Sequence, residues 1–187
     1  MSLPLKLLVG VGLFSVSVVG ALIVLRLYGL IWPFSVPTGA MTPAIVPGDH
    51  LIVEGFTFFI SRQPRRGDIV VFRTEGLPLV PPGQFYVKRV AGEPGDRVRI
   101  SDGRLFINDK QVSISNALGE IAYNLPQHSP DPLPQTDVTV PSNSYFVLGD
   151  NSTNSLDSRY WGSLPRGNII GRVAYCYFPL QRIGLVK

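Results

Sequence analysis

From Leu7 to Leu25 the chain carries no charged residue, with Lys6 before the run and Arg26 after it. About 20 apolar residues in a helix cross the hydrocarbon core of a bilayer. The run is long enough to span, the more so if it continues through Tyr28, Leu30 and Trp32. Gly10, Gly12 and Gly20 do not argue against this, because membrane helices tolerate glycine. A cleaved leader would have an apolar core of only about 7–15 residues and a small-residue cleavage site after it. This run is longer, and no clear Ala-x-Ala follows. The expectation is a retained N-terminal transmembrane anchor, residues 1–32, with Trp32 and Phe34 at the membrane interface. The flanking charges are too balanced to orient it.

The remaining residues, 33–187, have room for one domain of ordinary size. Their pattern is short runs of β-branched and aromatic residues punctuated by Gly and Pro. Asp49–Gly55, Ile69–Phe72, Gln84–Val90, Ser144–Leu148 and Gly171–Phe178 each read as a strand. Gly76–Gly83 reads as a loop and Gly92–Asp96 as a turn. Arg97–Ile100 and Leu105–Ile107 flank Asp102-Gly103, a strong hairpin signal. Asn116–Pro141 is rich in Pro and also carries Gln and Asp, so residues 97–143 read as a hairpin followed by an irregular insertion. Helical periodicity is nearly absent after Pro33. The fold class expected is mainly β, an antiparallel sheet or barrel behind one transmembrane helix. Phe56–Ile60 is a dense apolar patch that reads either as core or as a surface dipping into the bilayer.

Hydrophobic residues make up 45% of the chain, much of it in the N-terminal run, and net charge is +4. Arg62, Arg65 and Arg66 are too few for a nucleic-acid patch, so the basic balance reads as a surface facing anionic lipid. The two histidines, His50 and His128, cannot supply the three or four ligands of a zinc site, and no metal or other cofactor is implied. Neither lies in a motif that would support a Ser-His-Asp triad. The lone cysteine, Cys176, sits among aromatic residues and reads as a buried small hydrophobe. Lys88 lies within a strand of apolar neighbours. Burial there would disfavour the ammonium and make the amine a base, although by itself the signal is weak, since most strand lysines reach to solvent.

Four segments carry a resemblance. Ser35-Val36-Pro37-Thr38-Gly39-Ala40-Met41-Thr42-Pro43-Ala44-Ile45-Val46-Pro47-Gly48-Asp49 is a loop shaped by three prolines. Arg66–Phe72 and Tyr86–Asp96 follow, and then Gly149–Gly162 with Gly149-Asp150-Asn151 and Ser155-Leu156-Asp157-Ser158-Arg159. Their order behind one anchor resembles the type I signal peptidases, membrane-bound Ser/Lys endopeptidases. The family pattern around the first loop reads roughly Pro-Ser-Gly-Ser-Met-x-Pro, with the nucleophilic serine before the methionine. Here that residue is Ala40. The insertion carries no recognisable pattern. Self-cleaving repressor-like proteins share the Ser/Lys logic but would carry a DNA-binding domain in place of the anchor, which fits poorly.

The resemblance implies roles. Lys88 would be the general base for a hydroxyl at position 40, and Ser155 would hydrogen-bond and orient its amine. The backbone N–H of position 40 and the Thr38 hydroxyl would form the oxyanion hole. Asp157 and Arg159 would pair near the site, and Asp150 and Asn151 would brace their turn. Phe34, Val36, Met41, Tyr86 and Val87 would line shallow pockets for alanine before the scissile bond and two residues earlier. An extended substrate would pair along Tyr86–Lys88. The substrates implied are signal-peptide-bearing precursors, and the location implied is a bacterial plasma membrane or a thylakoid-type membrane, with the catalytic domain on the extracytoplasmic face.

Alanine has no nucleophile, so the chain as written is expected to be essentially inactive. Two origins stay open: a replacement of serine that silences an otherwise intact enzyme, or a natural pseudo-peptidase serving a membrane complex as a binding or assembly subunit.

Overall fold

Short β-branched runs become strands here wherever a glycine or a turn lets the chain reverse. The computed structural model describes residues 11, 13, 15–17, 19–20, 24, 26, 31–55, 63–116, 119–124 and 136–186. The strands are β1 (Ile31–Ser35), β2 (His50–Glu54), β3 (Ile69–Arg73), β4 (Phe85–Gly92), β5 (Arg97–Ser101), β6 (Arg104–Ile107), β7 (Lys110–Val112), β8 (Ser115–Asn116), β9 (Gly119–Glu120), β10 (Asp137–Thr139), β11 (Ser144–Leu148), β12 (Leu164–Pro165), β13 (Ile169–Phe178) and β14 (Gly184–Leu185). One four-residue helix, α1 (Ser158–Trp161), lies between β11 and β12.

The main sheet has eight antiparallel strands in the order β1-β2-β13-β3-β4-β11-β12, with β14 added to β13. A second sheet, β10-β5-β6-β7, and the small β8-β9 pair complete the fold. Of the two architectures left open, sheet or barrel, this is the sheet: β1 and β12 end the path, and among the described residues nothing joins them.

Burial explains why the strand signals differ in strength. In β3, Val70 and Phe72 enter one core cluster with Val90, Tyr145, Val147 and Trp161. Ile69 and Val71 enter another with Val36, Met41, Ile45, Leu51 and Val173. Both faces are covered, so the strand reads as a continuous apolar run rather than an alternating one. A third cluster, including Val98, Ile100, Leu105 and Ile107, joins the second sheet to Phe146 and Leu148 of β11. The β5–β6 hairpin turns at Asp102 and Gly103, with φ of 51° and 71°. Two consecutive left-handed residues are what a two-residue hairpin of this hand requires.

Three expectations need correction or delimitation. β1 starts at Ile31, inside the stretch assigned to the anchor, and Trp32 and Phe34 are half-buried in a strand paired with β2. The irregular insertion contains β9 and β10, and it sends Ile121, Tyr123 and Val140 into the core. In the N-terminal run, residues 11, 13, 15–17, 19–20, 24 and 26 are helical and exposed. Among the described residues no helix is long and apolar enough to cross a membrane. The rest of the anchor run, the Phe56–Ile60 patch and residues 125–135 of the insertion lie outside the described residues.

Candidate active site

The loop between β1 and β2 is folded on itself. Val36 N–H donates to the Asp49 carbonyl at 3.0 Å and Gly48 N–H to the Val36 carbonyl at 2.9 Å, which closes its base. Thr42 N–H reaches the Gly39 carbonyl at 3.1 Å, and Ile45 N–H the Met41 carbonyl at 3.0 Å. Met41 and Ile45 plug the loop into the core, both fully buried. Met41, expected beside the substrate pockets, is therefore a core residue and does not border the cleft.

A second set of bonds holds the loop from across the fold. Asn151 N–H donates to the Ala40 carbonyl at 3.1 Å, and its side-chain amide to the Gly39 carbonyl at 3.0 Å. Position 40 is thus located by its own loop and by the turn after β11. Asp150 accepts from the Arg89 guanidinium at 2.8 and 2.7 Å, and Arg89 also donates to the Gly67 carbonyl at 2.9 Å. Asn151 thus holds the loop and Asp150 holds β4.

Asp157 caps α1. Its carboxylate accepts from Arg159 Nε at 2.8 Å and Nη2 at 2.9 Å, from Arg159 N–H at 3.3 Å, and from Gly149 N–H at 3.0 Å. Arg159, also with no exposure, donates further to the Ser152 carbonyl at 2.7 Å, the Ser152 hydroxyl at 3.0 Å and the Asn124 carbonyl at 3.1 Å. Each charge is met by its opposite and by backbone, the condition under which a buried ion pair is tolerated. Asn124, from the insertion, is a participant that sequence reasoning missed.

Gly149 was also missed as a positioning residue. A Cβ there would run into the Ser155 side chain and lie 2.6 Å from the Ala40 carbonyl oxygen. Only glycine lets β11 end this close to both. Its signal in the sequence was the Gly149-Asp150-Asn151 tripeptide. Ser155 is buried at 7% exposure, and its Oγ has no hydrogen-bond partner among the described residues. The bond expected between Ser155 and Lys88 is absent from this structure; the hydroxyl packs against Gly149 instead.

Lys88 is 4% exposed on β4, where strand alternation sends it to the face opposite Arg89. Its Nζ lies 5.5 Å from the centre of the Tyr86 ring. Burial lowers its pKa from the ordinary 10.5 to about 8. Against that, Asp157 and Asp150 favour the charged amine, while Arg159 acts with burial. Lys88 borders a cleft of about 490 Å³ together with Phe34, Val36, Thr38, Ala40, Tyr86 and Val87. The cleft therefore gathers the expected site residues with the exception of Met41, Ser155 and the bracing residues. Pro81, Gln84, Phe85, Asn154 and Leu156 border it too, unanticipated. β11 pairs with β4 only from Arg89 to Gly92. Among the described residues, no strand occupies the edge of Phe85–Lys88 opposite β3.

The family model described as signal peptidase, peptidase S26, matches residues 8–178. The chain is 37% identical over 152 residues to a probable signal peptidase I-2 of Synechocystis sp., covering 81% of this chain and 65% of that protein. It is 38% identical over 152 residues to a signal peptidase I of Leptolyngbya laminosa, covering 80% and 70%. With the thylakoidal processing peptidase 1 (chloroplastic) of Arabidopsis thaliana it shares 33% over 157 residues, 81% of this chain and 43% of that longer protein. The match runs through all four segments that frame the cleft, and on it the chain belongs to the signal peptidase family, peptidase S26.

Proposed function

We propose that this chain is the scaffold of a signal peptidase I that cleaves signal peptides from exported precursors by a Ser/Lys dyad, and that Ala40 leaves it without the nucleophile. The observation that carries this reading is Lys88. It is a lysine 4% exposed in the wall of the cleft that Ala40 and Thr38 also border, with its amine lowered to about 8. A neutral amine is a competent general base near that pH.

With serine at position 40, its Oγ would attack the scissile carbonyl while the Lys88 amine takes the hydroxyl proton. The position 40 N–H and the Thr38 hydroxyl would stabilise the oxyanion. Lys88 would return the proton to the leaving amine, and water would then hydrolyse the acyl-enzyme. Substrate would enter as an added strand on the open edge of Phe85–Lys88. The N-terminal run would hold the domain at a bacterial plasma membrane or thylakoid-type membrane, on the extracytoplasmic face. The exposed apolar residues Val11, Leu13, Val16, Val19 and Val24 of its described helical part support that placement.

The test is cleavage of a precursor in detergent by this chain and by Ala40→Ser side by side. Cleavage by Ala40→Ser alone, lost again on Lys88→Met, supports the reading. Rapid cleavage by the Ala40 chain would overturn the nucleophile assignment.

A further inference from the structure

The loop that carries position 40 is held at two ends by different parts of the chain. Asn151 holds the Gly39–Ala40 end. The other end is held from the C-terminal segment. Arg182 Nε donates to Asp49 Oδ1 at 2.8 Å, and its Nη2 donates to the Ala44 carbonyl at 3.1 Å and the Pro43 carbonyl at 3.4 Å. The second Asp49 oxygen accepts from Val46 N–H at 2.9 Å. Asp49 is 1% exposed, so its charge needs a counter-ion, and the Arg182 guanidinium supplies it. One planar group therefore joins the carboxylate at the end of the loop to two carbonyls in its middle. A forked donor can do this and a point charge cannot.

Arg182 ends a single helical turn, Leu180–Arg182, set between β13 and β14, where Cys176 pairs with Gly184 and Tyr175 with Leu185. β13 also pairs with β2, which begins where the loop ends. The family match stops at residue 178, so Arg182 lies outside the span that the relatives define. It does not border the cleft; it lines a separate groove with Pro43, Ala44 and Cys176. Resting on the peptidase reading above, we infer that Arg182 is a positioning residue for cleavage, fixing the far half of the loop so that position 40 and Thr38 keep their place in the cleft with Lys88. It acts through the loop backbone and does not touch substrate. Misplacing a reacting group by about 1 Å costs on the order of 100-fold in rate. A loop tied only at its Asn151 end would have that freedom.

The test uses the full chain with Ala40→Ser, cleaving a precursor peptide in detergent well below its melting temperature. Into it are placed Arg182→Met, which removes the fork, and Arg182→Lys, which keeps a cation against Asp49. The expected result for Arg182→Met is a kcat lowered about 10- to 100-fold with KM within about 2-fold, because the substrate surface is unchanged. Arg182→Lys should recover the melting temperature more fully than kcat, since an ammonium meets the carboxylate without spanning both carbonyls. A residue that only stabilises the fold would lower the melting temperature and leave kcat of the folded protein alone. Unchanged kcat, with or without a change in KM, overturns this inference and leaves the peptidase reading standing. If Arg182→Met does not fold, Arg182→Lys decides: kcat about 10-fold down sustains the inference, and kcat equal to the parent's overturns it. No cleavage by the Ala40→Ser parent overturns both readings.

Discussion

The ion pairs near the cleft and those on the second sheet use the same chemistry at opposite extremes of exposure. Arg159–Asp157 is fully buried and Arg89–Asp150 nearly so, at 3% and 0%. Arg97–Asp137, with equally short contacts of 3.0 and 2.8 Å, stands at 50% and 45% exposure. Around the cleft, polar bonds tie together segments distant in sequence: Arg89 to Asp150, Arg159 to Asn124, Asn151 to the loop at Gly39. On the second sheet, the register is already set by a tight hairpin and apolar side chains, and the charges decorate it. Geometry alone does not say which pair matters. Burial and what else the pair holds do.

The largest effect is expected at position 40. Ala40→Ser is expected to raise precursor cleavage by at least about 1000-fold, because the residual rate of a dyad without its nucleophile comes only from binding and the oxyanion hole. Adding Lys88→Met should remove that gain. The pH profile is a finer check. Lys88 must be neutral to accept a proton and its pKa is lowered to about 8. The rate of Ala40→Ser should therefore rise about 10-fold per pH unit below that value and level off above it. A profile flat from pH 6 to 9 would remove Lys88 from the role of base.

Next come the buried charges. Asp157→Asn keeps the shape and deletes the charge, leaving Arg159 buried without its counter-ion. Breaking one side of such a pair costs about 3–5 kcal/mol, measurable as a large fall in melting temperature or as failure to fold. Gly149→Ala is expected to cost less, about 1–3 kcal/mol, as overpacking does. Its particular signature lies elsewhere: the new methyl meets Ser155 and the Ala40 carbonyl. In the Ala40→Ser background it should cut the cleavage rate by more than its loss of stability explains. Unchanged kinetics would mean that the close approach of β11 to position 40 is incidental.

Most of this fold was legible where one residue type decides a local outcome. Asp102-Gly103 specifies its hairpin, and the β-branched runs specify β2, β3, β11 and β13. β1 was not legible, because an apolar stretch next to an anchor reads the same whether it continues a helix or enters a sheet. β10 and Tyr123 were hidden in a Pro-rich segment whose order comes from pairing with β5 and from burial, neither of which is local. α1 is four residues long and exists because Asp157 caps it. Motif order singled out Lys88, Ala40 and Thr38, and the three border one cleft. Met41 was misplaced because its motif position says it is near the nucleophile and says nothing about which way it points. Gly149 and Asn124 act through backbone contacts, and those leave no residue pattern beyond their own presence.

The smallest effect expected is on the second sheet, and it is the control for the argument about burial. Asp137 accepts two hydrogen bonds from Arg97, which hold its carboxyl below the usual carboxylate range. A depressed folded pKa means a contribution present above the unfolded value and lost as pH falls through the folded one. Both groups are open to solvent, however, and an exposed pair is screened and contributes little. Asp137→Asn should therefore leave the melting temperature at neutral pH unchanged in about 0.15 M salt, with at most a small drop at low ionic strength. Activity of the Ala40→Ser form should not move. Should Asp137→Asn destabilise the chain as strongly as Asp157→Asn, burial would not be what separates the two regions. The hairpin sheet, whose Gly103 carbonyl holds the neighbouring Tyr123 N–H while Asn124 accepts from Arg159, would then have to be counted as part of the site.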